Sequence, residues 1–358
     1  MGSLPVTGIS MRLGFFAYPW DLRDEGPELA VGAMASQYGC NALALNANYH
    51  HARLLRPRAT GPKTIQLPGA IAAFQPQVDC YPDERLVPVP ERSLVESGVL
   101  ARAREACARE GLDLGLWTVG LHNSTLGQRN RDLCMQNCFG DIYTYNLCPS
   151  QEPVHAYLQG VIQDLCTQFQ PDRIIQEAVG YLGLRHWVHH ELFFAAQDES
   201  LEMLLSLCFC PSCQARAEEA GLEAGRLRER IAGWAEKLLH GERGNLPPAF
   251  TQSQVLSLLA KVPDLAAFMQ VRARTVTDLV AGLYATAKQH GAQLDLIPAS
   301  FHRPVSQAWL EGALLGDLQQ ASHHLLVPSY FDSADQVAAD LEWAAWLAPE
   351  IGLVAGLN

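Results

Sequence analysis

Three cysteines lie close together in the stretch Cys208-Phe209-Cys210-Pro211-Ser212-Cys213. Closed sites of four thiolates hold structural zinc, so this spacing predicts three ligands of a zinc ion. We expect Cys148 to be the fourth, because it comes just before the helical segment that leads into a predicted strand. Cys134 and Cys138 are alternatives, and so is a group of thiols without metal. The sequence thus predicts structural Zn²⁺ on Cys148, Cys208, Cys210 and Cys213.

Glu177 is the best candidate for acid–base catalysis. It lies in the otherwise apolar segment RIIQEAVG, residues 173–180. A carboxyl group that is partly removed from water has a raised pKa and can donate a proton near neutral pH. The alternative interpretation is a buried structural carboxylate paired with an arginine or a histidine.

A glycosidase usually needs a second carboxylate opposite the acid. Asp332 follows another predicted strand and is the candidate, although FDSADQ around it also fits the start of a helix. Glu191 and Asp141, in predicted loops, are alternatives. His189, His190 and Glu191 are adjacent in sequence and lack the spacing of an HExxH helix. We expect these three residues to contact substrate rather than a metal.

Aromatic, amide and imidazole side chains follow most of the predicted strands. Sugars present C–H faces and many hydroxyl groups, and such side chains bind both. Residues of this kind at the mouth of a barrel also suit other ligands. The expected substrate-binding residues are Trp20, Asn48, Tyr49, Trp117, His122, Asn123, His189, His190, Glu191, His302 and Tyr330.

Seven apolar segments alternate with helical patterns and must position these groups. The predicted strands are 12–19, 41–50, 112–123, 172–180, 293–301, 323–331 and 351–358. This alternation demands a parallel sheet covered by helices, and the long loops after strands two, three and four fit the active face of a (β/α)8 TIM barrel. Either the barrel is incomplete at its C-terminal end, or segment 60–92 supplies a strand. A doubly wound sheet is the alternative, but AYPWDL after strand one is not its glycine-rich turn.

Composition limits the class of protein. The chain has 358 residues, of which 48% are hydrophobic, which is enough for a large core. A net charge of −12 without a Lys/Arg cluster argues against nucleic acid as a partner. The sequence shows neither a signal peptide nor an apolar run of membrane-spanning length. We expect a cytoplasmic protein with a flexible leader at 1–10 and one barrel domain at 11–358, with a helical insertion around 200–290. Homo-oligomerisation stays open.

The order of these motifs resembles family 42 β-galactosidases, which are retaining (β/α)8 glycosidases. In that family a cysteine precedes the helix entering strand four, an Asn-Glu pair ends the strand, and Cys-x-Cys-x-x-Cys follows. Here the matching residues are Cys148, the pair Gln176-Glu177, and Cys208 to Cys213. The resemblance covers about residues 112–220 and implies that Glu177 is the acid/base and that the four cysteines bind structural zinc.

Two departures separate this chain from that family. Gln176 stands where the family has Asn, and residues 351–358 contain no acid to match the nucleophilic glutamate after strand seven. The sequence therefore predicts a glycoside hydrolase whose mechanism is unassigned and whose substrate is a carbohydrate. A carbohydrate-binding barrel without catalysis and a metal-dependent lyase or isomerase are the alternatives.

Overall fold

The computed structural model describes residues 11–185, 199–241, 248–300 and 304–357. Its main sheet consists of seven parallel strands, each paired with the next in chain order. They are β1 Gly14–Ala17, β2 Ala42–Tyr49, β3 Asp113–Val119, β4 Arg173–Glu177, β5 Gln293–Leu296, β6 His324–Pro328 and β7 Gly352–Gly356. All seven predicted strands are confirmed, with shorter bounds.

The predicted eight-stranded barrel is not complete in the part of the chain that the structure describes. There β1 and β7 each pair on one side only, so the curled sheet forms an open, barrel-like half. Residues 60–92 do not add the missing parallel strand. Thr64–Leu67 pairs antiparallel with Ala52–Leu55, and Ile71–Ala72 pairs antiparallel with the end of β2.

Helices connect the strands, and several of them pack against the sheet. The α-helices are α1 Pro19–Glu25, α2 Pro27–Tyr38, α3 Arg92–Ser97, α4 Val99–Glu110, α5 Ser124–Arg129, α6 Glu152–Phe169, α7 Glu199–Leu205, α8 Pro211–Glu219, α9 Ala224–His240, α10 Pro248–Lys261, α11 Pro263–Gln289, α12 Leu315–Leu318 and α13 Ala334–Leu347. None of the helices in the described ranges is both long enough and apolar enough to cross a bilayer. A hairpin of Cys134–Gln136 and Ile142–Leu147 precedes α6.

Two predicted helices differ from the structure for identifiable reasons. The pattern over 93–111 is divided between α3 and α4 because Gly98 adopts a left-handed φ of 63°. The pattern over 306–321 becomes a 3-10 helix, Val305–Glu311, that ends at Gly312 with φ 85° and is followed by the single turn α12. This second difference moves Glu311 to a buried position.

The strand pattern divides the core around the sheet into two regions, and a third cluster lies among helices α7 to α11. Side chains alternate between the two faces of a strand. On β4, Ile174 joins the large cluster between strands and helices, whereas Ile175 packs with Trp117, Val119 and Leu326 on the inner face. Glu177 lies two residues after Ile175 and therefore shares the inner face.

A buried charge network ties the strands together at their N-terminal ends. Asp295 of β5 is 1% exposed and accepts hydrogen bonds from Arg12 Nη2 at 3.1 Å and His324 Nδ1 at 2.8 Å. Arg173 Nη1 of β4 lies 3.6 Å from the same carboxylate. The network therefore links β4, β5, β6 and the residues before β1.

We expect Asp295→Asn to lower the free energy of unfolding by about 1–3 kcal/mol, because it removes the charge of a buried carboxylate that pairs with the partly exposed Arg12 and Arg173. Urea denaturation of the variant and the wild-type protein measures this difference in the free energy of unfolding. Asp113→Asn is the matched control, since Asp113 also pairs with Arg173, at 3.2 Å, but its side chain is 49% exposed. That control is expected to change stability by less than about 1 kcal/mol. Equal effects of the two variants would contradict a special role for the buried carboxylate.

Candidate active site and metal centre

Glu177 ends β4 on the inner face of the sheet. Its Oε2 accepts a hydrogen bond of 2.8 Å from Trp117 Nε1 of the neighbouring strand. The next residue, Ala178, is buried and adopts a left-handed φ of 56°. A non-glycine residue in this region stores strain, which is a feature of functional sites. The chain thus turns away at once and leaves Glu177 at the C-terminal edge of the strands, where parallel barrels place their active sites.

The surroundings of Glu177 raise the pKa of its carboxyl group. Burial raises its pKa to about 7, and the negative charge of Glu311 acts in the same direction. The hydrogen bond from Trp117 opposes this shift because it favours the ionised form. The carboxyl is only partly exposed. Near neutral pH, Glu177 is therefore divided between its acid and base forms.

Aromatic rings from three strands surround this carboxyl group. Tyr18 stacks on Trp20 with ring centroids 4.8 Å apart, and Tyr18 and Tyr49 share a hydrogen bond of 3.1 Å between their hydroxyl oxygens. Trp117 lies 5.6 Å from Tyr18 and 5.5 Å from Tyr49, again between ring centroids. Burial raises the pKa of Tyr18 and Tyr49, and the charge of Glu177 contributes to both shifts. The predicted residues Tyr49 and Trp117 thus lie beside Glu177. Trp20 was predicted to bind substrate, but it is 1% exposed and supports Tyr18 and Tyr49 from within the core.

A bulge in β2 shapes the next part of the site. The register with β3 shifts between Asn46 and Asn48, and such bulges re-aim side chains near active sites. Asn48 accepts a hydrogen bond from Val119 N at 2.8 Å and donates one to Val119 O at 3.3 Å. Its amide, which was predicted to bind substrate, is therefore bonded to the neighbouring strand.

Two histidines stack at the end of β2. His50 and His122 have ring centroids 4.1 Å apart and nearly parallel planes, and His50 also stacks on Tyr49. His50 Nδ1 donates to His51 O at 2.6 Å, and burial lowers its pKa to about 4. His50 is therefore neutral near pH 7, and its Nε2 lone pair can accept a hydrogen bond. His50, which directly follows Tyr49, was not among the expected substrate-binding residues.

The remaining predicted residues divide into three groups. Asn123 caps α5, accepting from Leu126 N at 2.9 Å, and donates to Tyr157 Oη at 3.3 Å. Tyr330 is 38% exposed, and the charge of Glu177 helps raise its pKa, so it lies near the acid. His189, His190, Glu191 and His302 fall outside the described residues.

Glu311 is a second carboxylate near Glu177 that sequence reasoning missed. It is 3% exposed, and its Oε1 accepts a hydrogen bond from Ser300 N at 3.1 Å, beyond the end of β5. Its carbonyl accepts from Tyr181 N at 2.9 Å, four residues after Glu177. Asp332 is exposed, and Ser333 rather than Asp332 caps α13. Glu311 had no signal in the sequence, since its segment reads as an ordinary helix.

The four predicted cysteines form one buried cluster. Cys148 Sγ lies 3.8 Å from Cys208 Sγ, 3.6 Å from Cys210 Sγ and 3.5 Å from Cys213 Sγ. All four sulfur atoms lie within 4.8 Å of one another, and all four thiols are free. With Zn–S bonds of about 2.3 Å, the edge of a ZnS₄ tetrahedron is about 3.8 Å. The cluster therefore has the donor type, number and spacing that such an ion needs.

The groups around the cluster suit thiolates. Gln136 N donates to Cys208 Sγ at 3.3 Å, and Ser150 N donates to Cys148 Sγ at 3.4 Å. Burial raises the pKa of Cys148 and Cys208, so a bound cation is what would hold these sulfurs in the ionised form. Of the alternative ligands, Cys134 donates to carbonyl oxygens of α5 and its C-cap, and Cys138 packs in another core cluster.

Comparisons with known proteins identify the fold. No protein-family model matches the sequence, and no curated protein is similar to it at a significant level. The glycoside hydrolase domain of PgaB (BpsB) from Bordetella bronchiseptica is 14% identical, with a TM-score of 0.52 over 95% of this chain and 82% of that chain. The catalytic domain of β-amylase from Paenibacillus polymyxa is 10% identical, with a TM-score of 0.50 over 96% of this chain and 85% of that chain.

A third similar structure is much longer than this chain. The β-galactosidase from the psychrophilic Marinomonas ef1 is 12% identical, with a TM-score of 0.45 over 89% of this chain and 41% of that chain. This chain thus spans about two fifths of that enzyme's length. The first two comparisons establish a barrel-like α/β fold shared with glycoside hydrolases, and they do not distinguish family 42 from other families.

Proposed function

We propose that this protein is a glycoside hydrolase in which Glu177 is the general acid/base. The observation that carries the proposal is the partly exposed carboxyl group of Glu177, which has a pKa of about 7 and accepts a hydrogen bond from Trp117 at the C-terminal edge of the strands. A glycosidic oxygen is a poor leaving group until it is protonated, and a partly desolvated carboxyl group of this pKa supplies that proton. The fold shared with glycoside hydrolases supports the same reaction class.

The side chains around Glu177 would have distinct roles in this reaction. Trp117 orients the carboxyl through its indole N–H. The rings of Tyr18 and Tyr49 would pack against the C–H faces of a sugar. Glu177 gives its proton to the leaving oxygen as the C–O bond breaks, and recovers one from the water that completes hydrolysis. Glu311 is our choice for the second carboxylate, because it is buried and its charge acts on Glu177.

We assign the cysteine cluster to a structural zinc ion. A closed set of four thiolates leaves no open coordination position for a substrate. The ion would join the residues before α6 to those at the start of α8, both of which lie near the loop that follows Glu177. The metal would therefore position the active site rather than take part in the reaction.

Assays against aryl glycosides and unlabelled oligosaccharides of both anomeric series test the proposed function, with products separated by chromatography. Hydrolysis by the wild-type protein and not by Glu177→Gln supports it. The second candidate is a carbohydrate-binding protein without catalysis, which is favoured by the absence of an acid in β7. Saturable binding of an oligosaccharide without any hydrolysis would select that candidate.

The pH dependence of activity provides a further prediction. Because the proton donor must carry its proton, we expect kcat/KM to fall about tenfold per pH unit above pH 7. Glu311→Gln is expected to lose most activity, because Glu311 is the proposed second carboxylate. It also removes a negative charge that raises the pKa of Glu177, so the alkaline limb of the residual activity is expected to move to lower pH. Asp332→Asn is the matched control, since Asp332 is exposed, and it should leave the limb in place. If the alkaline limb of kcat/KM stays at the same pH in Glu311→Gln, Glu311 is not the carboxylate that acts together with Glu177.

A further inference from the structure

Arg272 is a buried cation that no carboxylate pairs with in the described part of the chain. It lies in the middle of α11 and is 2% exposed. Its guanidinium donates to Leu310 O at 3.0 Å and to Met269 Sδ at 3.2 Å, and its Nε has no partner. A buried charge of this kind is strongly destabilising unless a counter-charge lies nearby.

Among the described residues, the contacts of Arg272 lead through Tyr181 to the cysteine cluster. The guanidinium lies over the ring of Tyr181, 4.4 Å from its centroid. Tyr181 Oη lies 2.9 Å from Ser150 Oγ and 3.8 Å from Cys213 Sγ. Ser150 Oγ in turn lies 3.1 Å from Cys213 Sγ. One aromatic ring and one hydroxyl group therefore separate the guanidinium from the sulfur atoms.

We propose that Arg272 is the counter-cation of the metal centre. Four thiolates around a divalent ion carry a net charge of −2, and this charge is buried. The positive charge of the nearby guanidinium offsets part of this negative charge. In return, the negative charge of the metal centre stabilises the buried guanidinium. Burial lowers the pKa of Arg272, and the negative charge that the cysteines would carry around a bound cation acts against that shift. The inference rests on the metal centre of the proposed function.

The same contacts connect the metal centre to the active site. Arg272 donates a hydrogen bond to the carbonyl of Leu310, and Tyr181 N donates one to the carbonyl of Glu311. Any side chain on Gly180 would collide with Glu311, since an added Cβ would lie 2.4 Å from its carbonyl oxygen. The segment that carries Glu311 is therefore fixed between Arg272 and the loop after Glu177. Arg272 is a positioning residue as well as a counter-cation.

Zinc affinity at fixed pH tests this inference, by competition with a chromogenic chelator of known affinity. Loss of a partner outside the ligand set weakens metal binding by about 10–100-fold, and we expect this of Arg272→Met. Arg272→Lys keeps the charge and is expected to lose less than about tenfold in affinity, below the loss expected of Arg272→Met. Arg274→Met is the control, because Arg274 lies two residues along α11 and is exposed.

The variants separate this inference from the assignment of the metal. Unchanged zinc affinity in Arg272→Met, or equal losses in Arg272→Met and Arg272→Lys, would show that the charge of Arg272 does not hold the ion. If Arg272→Met does not fold, Arg272→Gln replaces it, since Gln keeps a donor for Leu310 O but lacks the charge. A wild-type protein that binds no zinc would overturn the metal centre and this inference together.

Discussion

Replacing Glu177 with Gln is expected to lower kcat/KM on any hydrolysed glycoside by about 10²–10⁴-fold, because the amide cannot protonate the leaving oxygen. Gln has nearly the same shape, and its carbonyl oxygen can still accept the hydrogen bond from Trp117 Nε1. The loss should therefore fall on kcat more than on KM. Steady-state kinetics on the best substrate found for the wild-type protein measure it.

The same variant should gain stability at alkaline pH. The pKa of Glu177 is raised from 4.5 to about 7 in the folded protein, so its ionisation destabilises the fold as pH rises through this range. Gln cannot ionise, so the variant does not lose this stability as pH rises. Glu177→Gln and wild type are thus expected to be equally stable at pH 4.5, and the variant is expected to be more stable by about 3 kcal/mol at pH 8.

Urea denaturation at the two pH values measures this difference. Glu342→Gln, at an exposed position of α13, is the control and should change neither kinetics nor stability. An inactive Glu177→Gln that is also less stable at pH 8 would indicate a structural role for Glu177 instead. Full activity in a folded Glu177→Gln would remove it from the reaction.

Sequence patterns predicted the sheet because each strand carries its own apolar signal. The cysteine cluster was also predicted from sequence. The position of Cys148 just before α6 was enough to associate it with three cysteines 60 or more residues away. Glu311 could not be found in this way. Its segment has helical spacing, and only the packing of a 3-10 helix against the loop after Glu177 turns that side chain inward. Similarly, the bulge in β2 directs Asn48 to Val119, which the pattern of β2 does not indicate.

Loss of the metal is expected to have the largest effect on stability. Cys148 contacts all three other sulfurs, so Cys148→Ala removes the central member of the ligand set. In small zinc domains the metal contributes on the order of 10 kcal/mol, which is comparable with the total stability of about 5–15 kcal/mol of a typical domain. We expect Cys148→Ala to lose its zinc and to unfold at a clearly lower temperature, by elemental analysis and calorimetry.

A matched control separates the ligand from the packing. Cys107 on α4 is, like Cys148, fully buried, but it lies in the core outside the cluster. Cys107→Ala deletes the same atom from an equally buried site and should cost about 0.5–3 kcal/mol while the zinc content stays unchanged. Because Tyr181 joins the cluster to the Glu311 carbonyl, the activity of Cys148→Ala should also fall below that of Cys107→Ala at temperatures where both are folded. Equal melting temperatures and equal metal contents for the two variants would show that the four sulfurs pack together without holding an ion.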